Sequence, residues 1–147
     1  MQLPRSWETV PTTDIKPEPE ILSGKILIAE DDELVREVLE ATLSETHTLV
    51  FAVDGQEALQ AALVEDFDVA LIDLSMPKVP GDLVAREIQE TKPTVVTVLM
   101  TGWDLGEDDP RRTPFDDHLP KPLPSREEVR DLVARCLQVH ESRKLRA

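Results

Sequence analysis

Lys25-Ile-Leu-Ile-Ala-Glu-Asp-Asp32 decides the fold: an unbroken apolar run is stopped abruptly by consecutive acids. A run with no polar alternation suits a strand covered on both faces, as in a parallel sheet. Residues 32–45 then place Leu34, Val35, Val38, Leu39, Thr42 and Leu43 on one stripe, with Glu33, Glu37 and Glu40 outside it. That spacing predicts an amphipathic helix. The cycle repeats as a strand over 48–52, a helix over 55–65, a strand over 68–73, a helix over 82–91 and a strand over 94–101. In 102–117, Gly102, Gly106, Pro110 and Pro114 leave room for only a short or broken helix. A short strand over 117–120 follows, then a final helix from Ser125. Its inward stripe is Val129, Leu132, Val133, Cys136, Leu137 and His140, and Ser125 with Glu128 forms a capping box. Such alternation predicts a doubly wound α/β domain with a parallel sheet, right-handed crossovers, and sites at the carboxyl ends of the strands.

With 147 residues, 40% apolar and 31% charged, the chain is long enough for one compact domain, placed over 24–140. Residues 1–23 carry Pro4, Pro11, Pro17 and Pro19 and read as a flexible arm, with Trp7 as a linker aromatic. Residues 141–147, with Arg143, Lys144 and Arg146, read as a short basic tail that complements the negative end of a helix. No run approaches the roughly 18 apolar residues of a membrane span, and the opening residues lack the apolar stretch of a secretory signal. A cytoplasmic location is expected. The single Cys136 excludes an internal disulfide and cannot alone build a zinc site, so it reads as a core residue. A net charge of −14 argues against nucleic-acid binding, which needs a concentrated basic surface.

The expected strand ends carry Glu30, Asp31 and Asp32 after the first, Asp73 after the third, Thr101 after the fourth and Lys121 after the fifth. Carboxylates gathered in one crevice repel one another unless a cation sits among them, and hard oxygen donors suit Mg²⁺, with Mn²⁺ an acceptable substitute. A carboxylate so placed can attack phosphorus to give an acyl phosphate, provided the phosphoryl oxygens are neutralised. Lys121 supplies a cation and Thr101 a hydroxyl donor. Each residue alone is ordinary, since an acidic run is commonly a solvated helix start. Their convergence at separate strand ends carries the argument.

Ile26-Leu-Ile-Ala-Glu-Asp31, Asp73-Leu-Ser-Met-Pro77 with Gly81 beyond it, Met100-Thr-Gly102 and Leu119-Pro-Lys-Pro122 resemble the receiver domains of two-component response regulators, over about residues 24–139. The resemblance implies a flavodoxin-like (βα)5 three-layer sandwich with strand order 2-1-3-4-5. It implies Asp73 as phosphoacceptor, Glu30 and Asp31 as the Mg²⁺-holding pair, Asp31 and Asp73 as direct ligands, and the Ser75 backbone carbonyl as a further ligand. Thr101 matches the hydroxyl that turns toward the phosphoryl group and Lys121 the lysine that pairs with it, followed by a cis bond to Pro122. Asp32, just outside the pair, reads as a helix cap. His118 departs from the tyrosine or phenylalanine that many receivers carry, and both a switch role and a simple exposed histidine stay open. Pro110 and Pro114 should shorten the fourth helix, while Ser75 and Trp103 sit where side chains influence access of water, so slow hydrolysis is expected.

The function so implied is a stand-alone receiver, not an enzyme acting on outside substrates. It would take a phosphoryl group from a sensor histidine kinase or histidine phosphotransfer protein and signal by contact with a downstream protein, as a monomer or weak dimer. A fragment of a hybrid kinase, with the arm as linker, is also compatible. A phosphorylation-independent module on this fold would normally have lost the aspartate or the lysine. A haloacid-dehalogenase-type phosphatase would carry its nucleophile after the first strand and a second acid where Ser75 stands.

Overall fold

The computed structural model describes residues 22–146, so Trp7 and the prolines of the arm lie outside the described residues. Five strands, β1 (Lys25–Ala29), β2 (Thr48–Ala52), β3 (Val69–Asp73), β4 (Val96–Thr101) and β5 (Asp117–Pro120), alternate with α1 (Glu33–Leu43), α2 (Gly55–Val64), α3 (Gly81–Thr91) and α4 (Arg126–Arg146). The sheet is parallel throughout, in the order β2-β1-β3-β4-β5. The chain therefore steps outward from β1 to β2 and then back past β1 to β3. In an open parallel sheet a ligand crevice forms at such a reversal, beyond the carboxyl ends of the strands.

The central strands are buried on both faces because each alternates its side chains between two cores. Ile26, Ile28, Val69, Leu71, Val98 and Met100 point to the side covered by α1 and α4. Leu27, Ala29, Ala70 and Ile72 point to the side covered by α2 and α3, where Ala58, Ala62 and Ala85 let the helices approach closely. Asp54 caps α2 by accepting the Glu57 N–H at 2.8 Å, and Glu57 returns the bond to the Val53 N–H at 2.9 Å. Asp32 caps α1 through the Leu34 N–H at 2.9 Å, as expected, and Ser125 with Glu128 forms the anticipated box ahead of α4.

Two expectations are corrected. On α1 only Val35, Leu39, Thr42 and Leu43 face inward. Leu34 and Val38 are 71% and 46% exposed, on the outer edge of the stripe whose inner edge packs on the core. The residues read as a tail instead continue α4 to Arg146, and Arg143 is committed to the body of the domain. Its guanidinium donates to Asp116 at 2.8 and 3.2 Å and to the Val95 carbonyl at 3.1 Å. The crossover from β4 to β5 holds a single 3-10 turn, Pro110–Arg112, where a full helix would otherwise sit. Thr97, buried on β4, compensates by donating its hydroxyl to the Pro114 carbonyl at 2.8 Å.

Cys136 is buried in the α4 seam, and burial pushes its thiol up to about 12, which leaves it inert. His140, 4% exposed, has Nδ1 2.7 Å from the Thr94 carbonyl oxygen and Nε2 2.9 Å from Asp68 Oδ1. Asp68 in turn accepts the Lys25 N–H at 2.8 Å, so one imidazole ties α4 to the amino-terminal ends of β1, β3 and β4. His140→Ala should lower unfolding free energy by about 2–4 kcal/mol, since it removes a buried group and strips Asp68 of its partner. Urea denaturation checks this, and a loss under about 0.5 kcal/mol, the level of an inconsequential surface change, would refute the tie.

Candidate functional site

The acidic run after β1 turns its first member inward. Glu30 is completely buried: its Oε1 accepts from Lys121 Nζ at 2.9 Å and its Oε2 from the Asp32 N–H at 3.1 Å. Its own carbonyl is held by Arg36, whose guanidinium donates at 2.8 Å from one turn into α1. Asp73 closes β3 with 5% of its surface exposed, and its Oδ1 lies 3.4 Å from Lys121 Nζ and 3.4 Å from the Ser75 N–H. Asp31 is exposed at the mouth. Carboxylate oxygens of Glu30, Asp31 and Asp73 all lie within 4.8 Å of one another.

Thr101 ends β4, buried, and its Oγ1 accepts the Trp103 N–H at 3.0 Å. That bond leaves the hydroxyl proton free to be donated elsewhere. Lys121 follows β5 through a backbone bond from its N–H to the Thr101 carbonyl at 3.2 Å, and its bond to Pro122 is cis, as expected. His118 stands apart. It pairs in register with Leu99, is exposed, and lines a surface cleft with Arg112, Phe115, Asp116 and Asp117. Glu30, Asp31, Asp73, Thr101 and Lys121 are thus brought to one end of the sheet, Ser75 sits at the rim, and Asp32 acts as a cap beside the cluster.

The electrostatics follow from this crowding. Burial, then the charge of Glu30, push the Asp73 carboxyl up to about 7 against the pull of Lys121. Burial works against the Lys121 charge, but the hydrogen bond to Glu30 and the charges of Asp73 and Glu30 outweigh it and hold the ammonium above its ordinary value. One ammonium shared between Glu30 and Asp73, with Asp31 as a third acid beside them, leaves excess negative charge at the mouth. Hard oxygen donors in that state fit a divalent cation such as Mg²⁺, with Glu30, Asp31 and Asp73 as the side chains to hold it.

Several residues shape the site without a signal that sequence reading had used. A Cβ on Gly81 would run into the Asp73 carbonyl, and one on Gly55 into the Val79 carbonyl, so both glycines are set by close backbone approach. Gly81 was visible inside the motif, but its reason was not. Lys78 adopts φ 74°, a left-handed turn that a lysine tolerates at some cost, and its Nζ lies 3.4 Å from Asp54. Arg111 is the most consequential omission. Its guanidinium lies 5.5 Å from the Trp103 ring centroid, and both residues line a cleft with Leu74, Ser75, Asp82 and Pro80 beside Asp73.

A doubly wound sheet that brings buried acids, a lysine and a threonine hydroxyl to its carboxyl edge is the arrangement expected of a receiver class of signalling domain. The model of the response regulator receiver domain matches residues 26–134, and the chain belongs to that family. It is 34% identical over 110 residues to the transcriptional regulatory protein ResD of Bacillus subtilis, a match covering 71% of this chain and 45% of that one. The chain spans about half the length of the curated relatives it matches. Among solved structures, it resembles the response regulator TrrA of Thermotoga maritima in complex with Mg²⁺ and BeF, with TM-score 0.70, 27% identity, and coverage of 77% of this chain and 98% of that one. It also resembles the receiver domain of a sensor histidine kinase from Pseudomonas aeruginosa PAO1 with a magnesium ion coordinated in its active-site cleft, with TM-score 0.72, 25% identity, and coverage of 80% and 99%. No helix among the described residues is long and apolar enough to cross a membrane.

The raised Asp73 carboxyl makes a signed prediction. In the unfolded chain it ionises near 3.8 and in the metal-free fold near 7, so the fold loses stability as pH rises through that interval and carries the full penalty above it. Asp73→Asn removes the penalty. In chelator-containing buffer the variant should melt with the parent near pH 4 and be more stable above pH 7, by on the order of a few kcal/mol. Mg²⁺ should raise the melting temperature of the parent more than that of the variant. Equal melting at pH 8 in chelator would refute the charge conflict.

Proposed function

We propose that this receiver accepts a phosphoryl group onto Asp73 in a Mg²⁺-dependent reaction and signals by a change of surface that another protein reads. The observation that carries the proposal is the buried Glu30–Lys121–Asp73 cluster, with one ammonium 2.9 Å from the first acid and 3.4 Å from the second. Such an arrangement costs folding free energy and has little structural use, whereas it suits charge handling at a reacting carboxylate.

In the proposed reaction an Asp73 carboxylate oxygen forms a bond to phosphorus as the bond from phosphorus to the donor breaks, and the donor leaves with the electron pair. Glu30, Asp31, Asp73 and the Ser75 carbonyl would hold a divalent cation, which when bound would supply positive charge to the phosphoryl oxygens. Lys121, already within reach of Asp73 Oδ1, follows the phosphoryl group as a second positive charge. Thr101 donates its hydroxyl to a phosphoryl oxygen, keeping the Trp103 N–H as its acceptor-side partner. This turn of Thr101, with His118 on the adjacent strand as the outer switch residue, biases two surface states. The donor we assign is a sensor histidine kinase or a histidine phosphotransfer protein, and the output is contact with a downstream protein. The face on which that contact would form is built by the irregular segment 102–116 and β5.

Intact-protein mass after incubation with acetyl phosphate tests the reading. One added phosphoryl group is expected, dependent on Mg²⁺ or Mn²⁺ and lost in Asp73→Asn. A parent that gains no mass, even with phosphoramidate as a second donor, would mean a module that keeps the fold without the chemistry.

A further inference from the structure

The fourth crossover has no helix to order it, yet segment 101–112 is tied together by a continuous set of contacts. Asp109 Oδ1 accepts from the Arg111 N–H at 2.9 Å and from Nε at 3.0 Å, and its Oδ2 accepts from the second guanidinium nitrogen at 2.7 Å. These bonds hold the Asp109 carboxyl down at about 2. Arg112 donates to the Leu105 carbonyl at 3.1 Å and closes the loop on itself. The fixed guanidinium of Arg111 stacks on Trp103, and the Trp103 amide in turn holds the Thr101 hydroxyl. Trp103 is 52% exposed, so burial does not orient its ring, and the cation stacked on it does. Ring and guanidinium together wall the cleft that opens beside Leu74 and Ser75, the two residues that follow Asp73.

We propose that Arg111 is a positioning residue that holds Trp103 at the wall of the cleft lined by Leu74 and Ser75, the residues next to Asp73, and so sets how fast an Asp73 acyl phosphate is lost to water. This rests on the reading of Asp73 as the acceptor. In the step concerned a water oxygen forms a bond to phosphorus as the bond from phosphorus to the Asp73 carboxylate oxygen breaks. The products are the free carboxylate and inorganic phosphate, with the water proton passing to the phosphate or to solvent. A ring fixed at the cleft wall restricts the direction from which water approaches. A ring set loose by removal of its cation opens that direction.

The experiment uses the full chain with Trp7→Phe, which leaves Trp103 as its only tryptophan. After loading with acetyl phosphate and Mg²⁺ and removal of the donor, intact mass gives the acyl-phosphate lifetime. Arg111→Ala should shorten it about two- to fivefold, the size of an exposed cation–π contact. Trp103→Ala should shorten it at least as much, and the double variant should match Trp103→Ala alone, because Arg111 acts through the ring. Arg111→Lys, which keeps a cation but loses the fork on Asp109, should fall between parent and Arg111→Ala. In the unphosphorylated protein, acrylamide quenching of Trp103 should rise in Arg111→Ala. Equal lifetimes, or effects of the two single variants that multiply, overturn the proposal. A parent that takes up no phosphoryl group overturns the acceptor reading and the lifetime claim with it. Quenching then decides alone whether Arg111 positions the ring, and unchanged quenching overturns that as well.

Discussion

The ammonium of Lys121 reaches across the sheet from the end of β5 to a fully buried carboxylate after β1 and a nearly buried one at the end of β3. Removal of that single charge would leave Glu30 and Asp73 facing each other without compensation in a low-dielectric crevice, which breaks a buried charge network at a cost of several kcal/mol. Much else in the domain serves to keep those strand ends level. The registers of β1 with β3, β3 with β4 and β4 with β5 must all hold, since one slip would turn an acid into the core. Gly81 allows α3 to start hard against the Asp73 backbone, and Arg36 fixes the Glu30 carbonyl from α1.

How much of this was readable from the chain differs with the range of the interaction involved. The strands over 25–29 and 48–52 were legible in full because each is a short, mainly apolar run bounded by polar residues, and that over 117–120 was legible from its place just ahead of Lys121-Pro122. Those over 68–73 and 94–101 begin later than expected. Asp68 and Thr94 precede the ladder, where they serve as acceptors for His140. The site residues were legible because each follows its strand directly, and strand ends are where this architecture gathers chemistry. The outward turn of Leu34 and Val38 was not legible, because helical period says which residues share a stripe but not how much of that stripe the core covers. Arg143 was read as tail and Arg111 as loop for a related reason. Their partners, Asp116 and Trp103, are identified only by the three-dimensional path of the fourth crossover.

That crossover shows how a domain covers one quadrant of a sheet without a helix. Thr97 presents a hydroxyl where neighbouring strands present aliphatic carbons, and it spends that hydroxyl on the Pro114 carbonyl. Asp116, just before β5, accepts from the Thr97 N–H at 2.9 Å and from Arg143 of the last helix. Polar bonds have replaced apolar cover there, and such bonds are directional. The surface above them is accordingly set by a few specific contacts more than by bulk packing, and a change at one contact alters its shape without uncovering the core.

The last helix has a mechanical consequence. Its 21 residues span about 30 Å, from the Ser125 cap, four positions after Lys121, to the opposite pole of the domain. At that pole His140 and Arg143 bolt it to the amino-terminal ends of the strands. The near end is packed as well: Val129, Leu132 and Val133 are buried against the sheet, and Arg130 donates to the Thr42 carbonyl at 3.1 Å. The helix is therefore a strut packed along its whole length, with Lys121 just ahead of one end and the starts of β1, β3 and β4 held at the other.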